Sequence, residues 1–363
     1  MVYKVIGLMS GSSLDGLDIV YTQLDEIRGQ WSFEILQAAC ISYSDEWTER
    51  LRHAQNLSVP DFLKLHSAYG HYLGQQVNAF IAQHELEHKV HFIASHGHTV
   101  FHDPASKTTG QIGDGAAIAA LTSLPVISDL RMLDVALGGQ GAPIVPVGDK
   151  LLFHLQDYCL NLGGIANITV KNGEEMLAFD VCPANQVLNT LANLLDKPHD
   201  DGGTIAASGA LLGDVLEHLN KLPYYQLSAP KSLSNENVQE MMFPALLQSQ
   251  HTVADMLHTV VHHIAVQVAA AVRKYPVLKE ERSLLVTGGG AFNTFLVMKI
   301  QEQLAHQNVI VVVPDDKVIK FKEALVMALI GALRWREETN VYSSVTGASR
   351  DSVSGAVWMG HAY

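Results

Sequence analysis

The strongest constraint on the fold is an order of strands and glycine turns that occurs twice along the 363-residue chain. Each half begins with a β-rich segment that ends at a turn, Ser10–Ser13 in the first half and Gly163–Gly164 in the second. Two further strand-like segments follow each turn, and helical segments come after them. The residues are not repeated, so the duplication is one of pattern. It predicts two similar α/β domains, and a cleft between two such domains is a common place for a ligand.

Composition limits what such a chain binds. Hydrophobic residues make up 48% and charged residues 17%, which is typical of a soluble globular protein with a large core. The chain has 24 Lys and Arg against 37 Asp and Glu, and the resulting net charge of −13 argues against a dedicated nucleic-acid binder. A soluble enzyme that acts on small molecules fits this balance better.

The cysteines and the apolar segments indicate a compartment. Cys40, Cys159 and Cys182 are widely spaced and odd in number, which favours reduced thiols over a disulfide framework. The N-terminus has only a short apolar run, unlike the core of a signal peptide. The segment 116–127 is too short for a membrane span and contains Pro125. We therefore expect a cytoplasmic protein that does not enter a membrane.

The first chemical motif is Gly7–Asp18, with the sequence GLMSGSSLDGLD. Glycines in a tight turn let several backbone N–H groups point at one anion, and hydroxyls add donors. The carboxylates of Asp15 and Asp18 would repel a bare phosphate, so they fit best beside a magnesium ion or its waters. The alternative is a plain β-hairpin with Asp-Gly at its turn.

Two further glycine segments follow strand-like segments in the second half. LNLGGIANIT contains Gly163, Gly164 and Asn167, at the place equivalent to the first motif, and TGGGAFN contains Gly288–Gly290 and Asn293. The first of these would hold a polyphosphate, and the second would let a flat base lie against the backbone with Asn293 as a polar anchor. Each segment alone is weak evidence, whereas all three in this order are much stronger.

Four other positions carry candidate chemistry, and each has a plainer alternative. Asp180 at a strand end is a candidate general base or the cap of the following helix. The spacing of three histidines, His96, His98 and His102, suggests a metal site, although polar groups that line a cleft are the better interpretation. Arg131 suits a ligand carboxylate or an internal salt bridge. Glu323 opens the last predicted helix, where the helix dipole alone explains it.

Together, seven segments between about Lys4 and Thr346 resemble the anhydro-N-acetylmuramic acid kinase family. They are GLMSGSSLDGLD, SHGHTVFHDP, QIGDGAAIAALT, SDLRMLDVALGGQGAPIVP, LNLGGIANIT, LVTGGGAFN and EALVMALIGALR. The resemblance implies the fold of the sugar kinase/Hsp70/actin superfamily, an α/β fold with two ribonuclease-H-like domains around an ATP cleft. We expect the domains at 1–130 with 344–363 and at 131–343. The family also suggests a homodimer.

The resemblance implies an unusual reaction. A water attacks the anomeric carbon of 1,6-anhydro-N-acetylmuramic acid, the ring opens, and the released O6 takes the γ-phosphoryl group of ATP. The product is N-acetylmuramic acid 6-phosphate, an intermediate of cell-wall murein recycling. The cofactors implied are ATP and Mg²⁺, and Asp15 is the metal-binding candidate.

The family's functional positions fall on residues of this chain by their place in the motifs. Asp180 matches the catalytic base. The first phosphate loop is matched by Gly11, Ser12, Ser13, Leu14, Asp15, Gly16, Leu17 and Asp18, the second by Gly163, Gly164 and Asn167, and the adenosine segment by Gly288, Gly289, Gly290 and Asn293. The sugar-pocket positions are His98, Thr99, Arg131 and Glu323, and Arg131 would meet the lactyl carboxylate.

The chain departs from the family pattern at four positions. The family has Asp-Thr-Gly-Pro-Gly-Asn or a close variant, whereas this chain has Asp180-Val181-Cys182-Pro183-Ala184-Asn185, and His98 stands where Gln is usual. These departures leave two alternatives open. One is a kinase for another 1,6-anhydrosugar without the lactyl group, and the other is a nucleotide-binding regulator without a small substrate.

Overall fold

The chain folds into two compact units, Met1–Leu152 with Phe321–Tyr363 and Phe153–Lys320. The computed structural model describes residues 1–11, 14–173, 175–247 and 251–360, and for 235 and 236 it describes the backbone alone. The chain crosses between units at 152/153 and 320/321, whereas the sequence predicts crossings at 130/131 and 343/344. Residues beyond 131 stay with the first unit because they pack there: Asp134 accepts a hydrogen bond from Thr346, and Gly148 lies against Val326.

The first unit is built on a sheet with helices from both ends of the chain. Its strands are β1 Val2–Ser10, β2 Leu17–Ile27, β3 Gln30–Ile41, β4 Phe92–Asp103, β5 Thr108–Ile112, β6 Val126–Ser128 and β12 Ala356–Trp358. Its helices are α1 Asp45–Arg52, α2 Val59–Gln83, α3 Gly115–Thr122, α4 Met132–Ala136, α5 Pro146–Leu151 and α13 Ser343–Thr346, with most of α12 Asp316–Trp335.

The second unit has a smaller sheet. Its strands are β7 Tyr158–Leu162, β8 Ile165–Asn172, β9 Glu175–Pro183, β10 Arg282–Thr287 and β11 Val309–Val312. Its helices are α6 Asn185–Asn193, α7 Thr204–Ser208, α8 Gly213–Asn220, α9 Asn235–Leu247, α10 Val253–Lys274 and α11 Thr294–Ala305. Short 3₁₀ turns cover Ala54–Asn56, Pro104–Ser106, Asp201–Gly203, Pro223–Gln226 and Gly289–Phe292.

The two sheets share one strand order. In the first, β3, β2 and β1 form an antiparallel meander, and β4 and β6 continue the sheet parallel to β1. In the second, β9, β8 and β7 form the meander, and β10 and β11 run parallel to β7. A meander followed by two parallel strands is the ribonuclease-H-like topology, so the duplication predicted from the pattern is confirmed.

The core of each unit is explained by its apolar periodicity. In α10, the residues Leu257, Val260, Ile264 and Val268 have no exposed surface and pack into the core of the second unit. The apolar spacing from Val253 to Val268 predicts a helix over Val253–Lys274 with Thr252 as its cap. The structure confirms both, because Thr252 accepts a hydrogen bond from the N–H of Asp255.

The sequence predicts a helical stretch at about 45–87 that Pro60 interrupts, and the structure has two helices there, with Pro60 in the first turn of the second, α2. Two other predicted boundaries were wrong. The sequence predicts a strand that ends at Ser95, whereas β4 continues to Asp103 because β5 pairs with its second half. The sequence also predicts a last helix from Phe321, whereas α12 begins at Asp316. None of the helices in the described ranges is both long and apolar enough to span a membrane.

Gly7 on β1 lets the helix behind the sheet approach closely. A Cβ at this position would lie 2.0 Å from the carbonyl oxygen of Ala324 on α12. We expect Gly7→Ala to lower the free energy of unfolding by about 2 kcal/mol or more, since overpacking forces the helix outward. Gly213→Ala is the control, because nothing lies within 4 Å of a Cβ there. Urea unfolding followed by circular dichroism checks this, and equal midpoints for Gly7→Ala and wild type would contradict it.

Candidate active site

In the first unit, polar groups gather where β1 and β4 run side by side. Ser10, the last residue of β1, pairs in register with His98 of β4. The Ser10 hydroxyl lies 3.0 Å from His98 Nδ1, and both side chains are buried. Burial lowers the pKa of His98 to about 4, so its ring is neutral at pH 7.

Two tyrosines extend this group. The Tyr43 hydroxyl donates to Ser10 Oγ at 2.7 Å and lies 2.6 Å from the Tyr69 hydroxyl. Burial raises the pKa of Tyr43 to about 12 and that of Tyr69 well above its ordinary value, so both hydroxyls keep their protons. Neither tyrosine was predicted, because no sequence signal links residues that lie dozens of positions apart.

Arg131 is held by two acceptors from the same unit. Its Nε donates to His96 Nε2 at 2.7 Å, and its Nη1 donates to the carbonyl oxygen of Gly141 at 2.6 Å. Burial lowers the pKa of Arg131 to about 10, and the carboxylates of Glu323 and Asp134 oppose this effect, so the guanidinium stays charged at pH 7. Among the described residues no carboxylate lies within salt-bridge distance of it, so the salt-bridge alternative is wrong.

Glu323 contributes a carboxylate to the surroundings of Arg131. The helix-dipole explanation for this residue is wrong, because α12 begins at Asp316 and Glu323 lies about two turns inside it. Burial raises the pKa of Glu323, and the charges of Arg131 and Lys322 oppose the rise. No hydrogen bond joins its carboxylate to another described residue. A half-buried carboxylate without such a bond is suited to a ligand hydroxyl.

The loop after β1 carries two more carboxylates. Ser12 and Ser13, predicted phosphate ligands, lie outside the described residues, while Gly11 and Leu14 are joined by a hydrogen bond between backbone groups at 3.3 Å. Gly16 and Leu17 are buried at the start of β2. Asp15 is exposed, and burial raises the pKa of Asp18 to about 6, with a hydrogen bond from Cys40 opposing the rise and the charges of Glu323 and Asp15 adding to it.

Thr99 and the histidines have other partners. Thr99 accepts a hydrogen bond from Gln111 of β5, so its contact is not with the Ser10–His98 group. His102 Nδ1 lies 3.1 Å from the hydroxyl of Thr109. Within the described part of the chain, no three His, Cys, Asp or Glu side chains are grouped to hold a metal ion.

In the second unit, the glycine turn after β7 lies against the start of α6. The carbonyl of Gly163 accepts from the N–H of Asn185, and that of Gly164 accepts from Ala184 and Gln186. A Cβ at Gly163 or Gly164 would meet its nearest neighbour at 3.5 or 3.7 Å, which is ordinary contact. The protein's own packing therefore does not require glycine at these two positions.

The glycine run after β10 is different. A Cβ at Gly288 or Gly290 would lie 2.4 Å from Asn161 Oδ1 or 2.6 Å from Leu162 Cβ, whereas at Gly289 the nearest atom is 3.8 Å away. Gly288 and Gly290 are thus required by packing against β7, and Gly289 is not. The Oδ1 atom of Asn293 accepts from the N–H of Leu296 and caps α11, which gives this residue a structural role.

Asn185 joins the two glycine segments. Its Nδ2 donates to the carbonyl oxygen of Leu162 at 2.9 Å, and its side chain lies beside Gly289 and Gly290. Asn185 belongs to the Asp180 motif, but nothing in the sequence around it indicates this role. Only the fold shows that it lies next to both segments.

Asp180 is placed by a β-bulge and by a distant loop. In the β8–β9 ladder Ala166 pairs with Cys182 and Asn167 with Asp180, which leaves Val181 as the extra residue of a bulge. Asp180 Oδ2 accepts from the N–H of Leu233 at 2.9 Å, so the alternative that it caps a helix is wrong. No hydrogen bond joins Oδ1 to another described residue.

Further contacts fix the backbone of Asp180. Its N–H donates to the carbonyl oxygen of Lys231, and its carbonyl oxygen accepts from the Tyr224 hydroxyl at 2.7 Å. Burial raises the pKa of its carboxyl, and the hydrogen bond from Leu233 opposes the rise. A carboxylate held by one oxygen, with a raised pKa, has the properties of a general base.

The departures at Val181 and Cys182 affect the core. Both side chains are buried, with exposures of 2% and 0%, and belong to the hydrophobic core of the second unit. Burial raises the pKa of the Cys182 thiol, so it stays protonated and unreactive.

The duplicated topology, with a polar turn after the central strand of each unit, defines a protein of the sugar kinase/Hsp70/actin class. A sequence profile of the anhydro-N-acetylmuramic acid kinases matches residues 3–360. The chain belongs to the anhydro-N-acetylmuramic acid kinase family and is accordingly a phosphotransferase that acts on an alcohol group.

Curated relatives of that name match the chain over nearly its whole length. The relative from Sulfurovum sp. (strain NBC37-1) is 31% identical over 98% of this chain and 99% of its own. The relative from Francisella tularensis subsp. novicida is 30% identical over 97% of both chains. That from Shewanella pealeana (strain ATCC 700345 / ANG-SQ1) is 32% identical over 97% of this chain and 98% of its own.

Proposed function

We propose that this kinase opens 1,6-anhydro-N-acetylmuramic acid with water and transfers the γ-phosphoryl group of ATP to the released O6. The products are N-acetylmuramic acid 6-phosphate and ADP. We further propose that the protein acts in murein recycling in the cytoplasm, as a homodimer. The observation that carries this proposal is the environment of Asp180. Its Oδ2 is fixed by Leu233, while Oδ1 has no described partner and is available to a water molecule.

Asp180 acts in this proposal as the base for the attacking water. Oδ1 takes a proton from the water while the water oxygen bonds to the anomeric carbon. The bond between the anomeric carbon and O6 breaks. O6 then bonds to the γ-phosphorus while the bond from that phosphorus to the β–γ bridging oxygen breaks, and ADP leaves with the bridging oxygen. The raised pKa of Asp180 makes it a stronger base than an ordinary carboxylate, and the clamp by Leu233, Lys231 and Tyr224 keeps it oriented.

Backbone around Gly163, Gly164 and Gly289 binds ATP in this proposal, with Asn185 between the two segments. The support is the space at these glycines, where a Cβ meets no close neighbour, so a phosphate or base can approach the main chain. In the first unit, the segment from Gly11 to Asp18 supplies further phosphate donors.

Asp15 and Asp18 would hold Mg²⁺. Their oxygens are the ligands this ion prefers, and Mg²⁺ usually keeps several waters and takes only one or two carboxylates beside phosphates, which fits the absence of a three-ligand group in the described ranges. The ion would neutralise charge on the transferring phosphoryl group. Glu323 and His98 would bind the sugar, and Thr99 stays a predicted contact.

Asp180→Asn tests the proposed base. The amide keeps an oxygen for the Leu233 N–H but accepts no proton, so we expect kcat to fall roughly 10²–10⁴-fold. In wild type, kcat/KM should decline as the pH falls through the raised pKa of Asp180, above its ordinary 3.8, since the base must be ionised. Exposed Asp214→Asn in the same unit is the control. Unaltered turnover in Asp180→Asn would remove Asp180 from this role.

Arg131→Ala tests which sugar is bound. Loss of a charge-assisted contact with the lactyl carboxylate should lower kcat/KM for 1,6-anhydro-N-acetylmuramic acid by roughly 10–100-fold. Turnover of 1,6-anhydroglucose, which lacks that group, should change by less than about threefold, and this second sugar also controls for folding. Little change in kcat/KM for either sugar would favour a kinase for another anhydrosugar, and equal losses with both sugars would show that Arg131 does not recognise the lactyl carboxylate.

Variants at two glycines of the second unit distinguish a role in ATP binding from a role in packing. Gly163→Ala should keep the free energy of unfolding within about 0.5 kcal/mol of wild type and weaken ATP binding at least about tenfold, because its methyl group fits the protein but not the phosphates. Gly290→Ala should lower stability by about 1–3 kcal/mol through its clash with Leu162. Calorimetric titration with ATP and urea unfolding measure the two effects. Unchanged ATP affinity in Gly163→Ala would refute the phosphate role.

A further inference from the structure

His98 stands at the end of a buried chain of hydrogen bonds. Tyr69 and Tyr43 are 2.6 Å apart, Tyr43 donates to Ser10 at 2.7 Å, and Ser10 lies 3.0 Å from His98 Nδ1. The two tyrosine hydroxyls keep their protons and the histidine ring is neutral, so the number of protons in the chain is fixed.

The number of protons determines which group donates in each hydrogen bond of this chain. Tyr43 uses its only proton on Ser10, so the bond between the tyrosines uses the proton of Tyr69. The Ser10 hydroxyl accepts from Tyr43, and its 3.0 Å contact with His98 Nδ1 gives its own proton an acceptor. If His98 donated instead, Ser10 would be left with a buried, unused donor, which is costly.

We propose that this chain holds His98 as the tautomer with its proton on Nε2, so that His98 offers the bound sugar a hydrogen-bond donor. No described residue makes a hydrogen bond to Nε2. The target would be an acceptor oxygen such as the acetamido carbonyl of the sugar. That target rests on the proposed function, whereas the tautomer does not.

A glutamine amide has an oxygen that accepts from Ser10 and an NH₂ group that donates to a ligand, so the histidine tautomer reproduces both roles. Ser10 is then a positioning residue that acts through His98.

His96 provides an internal comparison. Its Nδ1 lies 2.9 Å from the carbonyl oxygen of Gly97, which only accepts, and its Nε2 accepts from Arg131. His96 is therefore the opposite tautomer, with its proton on Nδ1. The two buried histidines should therefore differ in which ring nitrogen carries the proton, and their nitrogen-15 NMR signals should show this.

Nitrogen-15 NMR of the free protein with labelled histidines measures the tautomer directly. The His98 signals are those that disappear from the spectrum of His98→Gln. We expect a proton-free nitrogen at Nδ1 and a protonated nitrogen at Nε2 near pH 7. A proton on Nδ1, or on both nitrogens, would overturn the proposal. The experiment contains no sugar or ATP, so its outcome is independent of the kinase reaction.

Ser10→Ala removes the partner of Nδ1 and should produce a mixture of both His98 tautomers. Ser95→Ala is the matched control, since its buried hydroxyl lies on the same strand as His98 and has no hydrogen-bond partner among the described residues. We expect the control to leave the His98 signals unchanged. An unchanged tautomer in Ser10→Ala would show that the chain does not set it.

Kinetics test the donor role. We expect His98→Leu to lower kcat/KM for the sugar roughly tenfold, mainly through KM, and His98→Gln to recover most of that loss. KM for ATP should not change in either variant. Equal losses in both variants would contradict the donor role, while the absence of sugar turnover in wild type would refute the proposed function and leave the tautomer result intact.

Discussion

The pairing of each central strand with an antiparallel neighbour on one side and a parallel neighbour on the other determines where the polar groups lie. In the first unit, β1 ends beside β4, and this register brings Ser10 to His98. In the second, β7 lies between β8 and β10, so the turn at Gly163 and the run from Gly288 leave the sheet at neighbouring strands. The chemistry of both units therefore depends on backbone pairing before it depends on any side chain.

The sequence predicted features that are local. The strand–turn–strand starts of both units and the helix Val253–Lys274 follow from apolar periodicity and glycine placement within short windows. The full length of β4 was not predictable in this way, because its second half is a strand only by pairing with β5. The early start of α12 was missed because the charged residues Asp316, Lys317 and Lys320 interrupt its apolar periodicity.

The hydrogen-bond partners of the candidate catalytic groups could not be predicted from the sequence. Asp180 was identified from its motif, but the N–H that holds it belongs to Leu233, 53 residues later. The bulge at Val181 likewise depends on pairing with β8. It allows two consecutive residues to be buried, so a sequence departure that threatened the chemistry is accommodated in the core.

The most direct test of the central claim is the mass of the product formed from ATP, Mg²⁺ and 1,6-anhydro-N-acetylmuramic acid by the purified protein. Water opens the ring and O6 takes the phosphoryl group, so the product should be heavier than the anhydrosugar by one water and one phosphoryl group, with one ADP formed per sugar. A product heavier by the phosphoryl group alone, or no product while ATP is bound, would contradict the coupled reaction.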